Sequence, residues 1–154
     1  MNKKKQSKPK AAPASRRKGT AAPRAKVKTK APHNTLDLFA QAVTLASGGY
    51  LFDAVTLFEE IVKSDQGNEL ADDALVNAGL CYIQMSLYRD AIAQFTRVIQ
   101  GYPKSTIANV FGNKEVGRTA AKALFCRLRC HSALGDGASA KKDLESLKPY
   151  TDSY

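Results

Sequence analysis

One pattern recurs three times along this 154-residue chain: an apolar stripe at helical spacing, a short break, then a second apolar stripe. It runs over residues 38–65, 75–103 and 124–150. The break is Gly48-Gly49 in the first segment, Ser86-Leu87 in the second and Gly135-Asp136-Gly137 in the third. Glycine just past a helix supplies a left-handed cap at low cost. Ala54, Ala91 and Ala140 follow the breaks at one fixed distance, and Phe58, Phe95 and Leu144 come one helical turn later. A small residue there lets two helices approach closely, and the large one fills the space between hairpins. Self-similarity of this kind marks stacked supersecondary units that bury their apolar faces on one another.

The spacing predicts helices over 35–47, 50–64, 69–85, 88–101, 118–134 and 138–148. They pair as hairpins of about 35–64, 69–101 and 118–148, within a repeat domain of 34–154. Asn34 is placed to cap the first helix, with Asp37 in its first turn. Residues 104–117 form an insertion, expected to carry a turn of helix and then a loop. The last helix has a narrow stripe (Ala140, Leu144, Leu147) beside Lys141, Lys142, Glu145 and Lys148, so it is expected to end the array without a separate capping helix. The fold class is therefore all-α: an antiparallel helix-hairpin solenoid of about three repeats.

At these residues the chain resembles the tetratricopeptide repeat family, and its linkers look like those of bacterial members. The second segment carries Leu75, Gly79, Tyr82, Tyr88, Ala91, Phe95 and Pro103 in the family register. The first carries Leu38, Leu45, Gly49, Ala54 and Phe58, with Gln66 where proline is expected. The third keeps Leu124, Gly135 and Ala140, with His131 and Gly137 in the two Tyr slots. The resemblance implies a non-catalytic module that binds a protein partner on the first helix of each hairpin. Carried over by position, the groove comprises Leu36, Phe39 and Val43, then Asp73, Val76, Asn77, Leu80, Ile83 and Gln84, then Lys122, Phe125 and Arg129. An apolar floor with a polar edge suits an extended apolar peptide or an amphipathic helix. The insertion or a twin subunit covering that floor is the other reading. The family's clamp for a peptide carboxylate is matched only at Asn77 and Lys122.

Charge divides the chain differently. Residues 1–36 hold half of the 24 Lys/Arg and no acid, whereas residues 37–154 hold the rest with all 14 acids and sum to −2. The basic residues of the leading segment are Lys3, Lys4, Lys5, Lys8, Lys10, Arg16, Arg17, Lys18, Arg24, Lys26, Lys28 and Lys30. Residues 1–35 contain no Leu, Ile, Phe or Tyr, so they cannot bury enough apolar area to offset ordering their backbone. Residues 1–33 are thus expected to be a disordered basic tail. Two readings stay open for it: binding nucleic acid or another polyanion by counterion release, blind to sequence, with the repeats dimerising or recruiting; or a solubilising arm. No apolar run suits a secretory signal or a membrane span, so a cytoplasmic protein is expected. Within the repeats, residues 35–95 sum to −7 and 96–154 to +5. Self-association head to tail, the tail folding back on the acidic hairpins, and plain solvated charge are all open readings of that split.

Other motifs are weaker. GNKEVGRT at 112–119 differs by one residue from a phosphate-binding loop, but that loop needs a strand before it and a helix after it in a βαβ unit. Cys126, Cys130 and His131 lie close together, yet no second ligand pair accompanies them; Cys81 and Cys130 share a repeat slot and are expected in the core, Cys126 takes a groove-facing slot, and no metal or cofactor is expected. No triad-like grouping of acids, hydroxyls and histidines appears, so no enzyme is expected.

Overall fold

The structure is a computed structural model that describes residues 34–64, 70–107 and 117–153. All of them belong to the second of the chain's two units, Ala31–Tyr154. The basic tail of 1–33 and most of the GNKEVGRT motif lie outside the described residues.

Six helices follow one another: α1 (Thr35–Ser47), α2 (Leu51–Ser64), α3 (Ala71–Gln84), α4 (Tyr88–Gly101), α5 (Thr119–Ala133) and α6 (Gly137–Leu147), with a short 3-10 segment, Lys148–Ser153, at the end. Each packs on the next, and α1, α3 and α5 also touch in sequence along one side. The architecture is an all-α, tetratricopeptide-like repeat. Among the described residues the only β pairing is an isolated antiparallel bridge, Thr106 to Arg118.

The three turns are built alike. Gly49, Ser86 and Gly135 have φ of +83°, +59° and +76°. At each, the next residue's N–H reaches back five residues: Tyr50 to the Leu45 carbonyl, Leu87 to Tyr82 and Asp136 to His131, all at 2.9 Å. These are Schellman caps, in which a left-handed residue lets two orphan carbonyls of the helix end find donors. They fix the register of the third hairpin on that of the other two.

That register brings small residues face to face. Ala42, Ala54 and Ala91 are fully buried, and so are Phe58 and Phe95. A Cβ on Gly79 would stand 2.6 Å from two ring carbons of Phe95, so α3 and α4 approach there as only glycine allows. Phe58 meets Phe39 edge-on at 5.6 Å between centroids. The third hairpin departs from the expectation: Leu144 is 57% exposed in the slot where Phe58 and Phe95 are sealed. Among the described residues no helix stacks on that side of α6 to cover it.

The expected Asn34 cap is present, its Oδ1 accepting from the Leu36 N–H at 3.3 Å. The insertion is described only at its ends. Ile107 N–H donates to Gly117 and Thr119 N–H to Ser105, so the neck is extended and paired, while the expected turn of helix falls on 108–116, outside the described residues. Arg118 clips it further by donating to the Lys104 carbonyl at 2.5 Å.

Gly79→Ala should lower stability, because overpacking a sealed ring costs about 1–3 kcal/mol and exceeds the gain of about 1 kcal/mol in helix propensity. Gly101→Ala, with nothing within 4 Å of its added methyl, should not lower it. Ser86→Gly should raise stability by up to about 1 kcal/mol, since a left-handed non-glycine residue carries strain. Chemical denaturation of the three variants checks these signs.

Candidate functional site

The side on which α1, α3 and α5 touch is the face the sequence assigns to a partner. Its residues divide by depth. Leu36 and Phe125 are 39% and 44% exposed, and Gln84 and Arg129 are also exposed. Val43, Asn77, Leu80, Ile83 and Lys122 are half-buried. Phe39, Val76 and Asp73 are only 4%, 1% and 6% exposed, so they belong to the core and not to the floor of a groove. Phe39 is turned under α1 by its contact with Phe58, and α3 is covered on both sides because it lies in the middle of the array. What remains on the surface is an apolar row, Leu36, Val43, Leu80 and Ile83, crossing the first two hairpins, with Phe125 on the third.

The polar groups are held locally. The Asn77 amide donates to the Asp73 carbonyl at 2.8 Å, so that donor is spent on its own helix. This weighs against a carboxylate clamp at Asn77. The Arg129 guanidinium lies 6.0 Å from the centre of the Phe125 ring, within cation–π range. The acids Asp53, Glu59, Glu60 and Asp90 belong to α2 and α4, on the second helices of the hairpins. Glu59 is paired with Arg97 at 2.7 Å.

Two polar constellations were not legible in the sequence. Arg127 grips Asp143 with two hydrogen bonds, Nε to Oδ2 at 2.9 Å and Nη2 to Oδ1 at 2.6 Å, and donates a third to the Thr96 hydroxyl at 2.9 Å. Asp143 is 2% exposed. The pair ties α5 to α6 and both to α4. The sequence puts Asp143 on what reads as the solvated side of a lysine-rich helix, and its partner lies 16 residues away. The second is Asp72, 2% exposed at the start of α3, beside Thr119 at the start of α5. Asp72 Oδ2 and Thr119 Oγ1 both lack a hydrogen bond of ordinary geometry. Burial pushes the Asp72 carboxyl above its ordinary 3.8; the nearby hydroxyls of Thr119 and Ser105 oppose this less strongly.

Cys81 and Cys130 are core residues as expected, at 2% and 1% exposure, and Cys126, in a groove-facing slot, is buried too at 5%. Burial raises the Cys130 thiol to about 11, with Cys126 adding to the effect. A thiol so protonated at neutral pH is a poor nucleophile and a poor metal ligand. Among the described residues no group of three His, Cys, Asp or Glu side chains could hold a metal ion. No described helix is long and apolar enough to cross a membrane.

Residues 73–105, which span most of α3, all of α4 and the closing Pro103, match the family model for the tetratricopeptide repeat. The middle hairpin is thus similar to a tetratricopeptide repeat. The match takes in Gly79, Ser86, Ala91 and Phe95, the residues that shape the middle hairpin. A search of curated proteins found no match to the chain.

The raised Asp72 carboxyl gives a pH test. A group whose folded-state pKa lies above its unfolded value favours folding fully below the unfolded value, and the benefit is lost as pH rises through the folded value. At neutral pH burying the carboxylate therefore opposes folding. Asp72→Asn should raise the denaturation midpoint at neutral pH, and the gain should shrink as pH falls toward 3.8. A gain of constant size across that range would contradict this account.

Proposed function

We propose that this repeat array binds a protein segment, an apolar peptide or an amphipathic helix, across the row formed by Leu36, Val43, Leu80 and Ile83. One observation carries this reading. These side chains stand on the inner helices of two consecutive hairpins and keep part of their apolar surface in water, while their neighbours Phe39 and Val76 are sealed beneath them. A rigid, continuous apolar strip on paired helices suits a ligand that inserts alternate or helically spaced apolar side chains. Polar Gln84 and Asn77 at its edge would set register more than affinity.

A second reading rests on the twelve basic residues that precede Asp37. Such a segment releases counterions from a polyanion and binds it without sequence preference. In that case the repeats recruit a protein partner to nucleic acid.

Selection of displayed peptides on the full chain tests the first reading. Enriched peptides should carry several large apolar residues, and Leu80→Glu should cut their binding at least about tenfold, since it buries an unpaired charge. Circular dichroism should show unchanged helix content. Peptides that bind Leu80→Glu as well as the parent would overturn the groove assignment. For the second reading, duplex DNA binding should fall steeply as salt rises and should vanish when residues 1–33 are removed; no tail-dependent binding at low salt would end it.

A further inference from the structure

The two internal junctions of the array show what each end of it lacks. Arg127 donates to Thr96, so the face of α5 that holds Arg127 points back at the preceding hairpin. Ala123 and Cys130 share that face at helical spacing and are buried. The equivalent residues of α3, Ala74, Ala78 and Cys81, are buried in the same way. In α1 the slots hold Asp37, Gln41 and Thr44, all exposed. Ala40, Gln41, Thr44 and Leu45 line a shallow depression of about 360 Å³ there.

The other end is open in the complementary sense. Val55 and Val62 of α2 are buried, and Ile92 and Ile99 of α4 half-buried, in slots that α6 fills with exposed Lys141 and Lys148. Between those lysines Leu144 is 57% exposed, and Leu134 at the end of α5 is 44% exposed. On the facing slots the first end carries Asp37 and the last carries Lys141 and Lys148, with no base on α1.

We infer that the occupant of these ends is a second copy of this chain, stacked head to tail, with α6 of one copy on α1 of the next. The contact repeats the junction geometry the chain already uses twice. By slot equivalence with Thr96 and Arg127, Glu145 faces Gln41 of the next copy. Because successive helices run antiparallel, Lys148 then faces Asp37, and Leu144 lies toward the depression on α1. Charge complementarity between Asp37 and Lys148 favours this order over a pairing of α6 with α6, which sets lysines against lysines. A head-to-tail contact is heterologous, so assembly is open-ended and grows with concentration. The rim is charged, so salt weakens it.

Sedimentation velocity on the full chain tests this. The parent should show a mean mass that rises with concentration and falls with added salt. Asp37→Lys and Lys148→Glu should each leave monomer with unchanged helix content, and the double variant, which restores the opposite pairing, should associate again. A parent that stays monomeric at every concentration overturns the inference. So does a closed dimer insensitive to Asp37→Lys, which would mark a symmetric contact through Leu144. Association that survives both single variants also overturns it and assigns the contact to the basic tail or the groove.

Discussion

The array depends on one local event repeated three times: a helix ends in a left-handed residue, and the next N–H reaches back to close the cap. That geometry fixes where the second helix begins. It therefore fixes which residue lies opposite which. Alanine five positions on and a large side chain four further on then meet the inner helix without adjustment, and Gly79 yields to the Phe95 ring. Ser86 shows how strongly tertiary packing holds this geometry, since the turn keeps its shape without glycine at φ +59°. Successive turns are 37 and 49 residues apart. The extra length is spent in an insertion whose neck is stitched shut at Ser105–Ile107 and Gly117–Thr119, so the third hairpin still stacks in register.

The two junctions between hairpins are held by different physics. The first is apolar inside, with α3 alanines and Cys81 against the second helix of the preceding hairpin, and its ion pair, Glu59 with Arg97, is partly exposed. The second contains a buried ion pair, Arg127 with Asp143, anchored on Thr96, and a buried carboxyl at Asp72. Hydrophobic packing tolerates small shifts, whereas a bidentate pair admits one arrangement and leaves a stranded charge if either partner goes. The insertion lies at this second junction. A chain that must pass through a loop between repeats gains from a contact that specifies how the third hairpin docks.

The fold was legible because it rests on short-range signals. Gly49, Gly135, the alanine slots and the apolar stripes act within a single hairpin, and the six helices fall within two residues of their expected bounds. The candidate site was less legible. Position in a repeat says which way a side chain points, not how much of it a neighbouring helix covers. Phe39 and Val76 point toward the groove side by their slots and are nevertheless sealed. Asp143 and Arg127 were missed because their pairing spans two helices and has no periodic signature. Leu144 was expected to fill a gap between hairpins, but it is 57% exposed, because no described helix packs over that slot of α6.

Function then follows from which apolar surface the packing leaves in water. On the inner helices of the first two hairpins Leu36, Val43, Leu80 and Ile83 keep part of their surface in water, while Asp53, Glu59, Glu60 and Asp90 lie on α2 and α4. The most direct test is amide and methyl chemical-shift mapping on isotope-labelled full chain with a selected apolar peptide. The account predicts perturbations centred on Val43, Leu80 and Ile83 of α1 and α3, with α2 and α4 little changed. Perturbations concentrated on α2 and α4, with Leu80 and Ile83 unmoved, would contradict it.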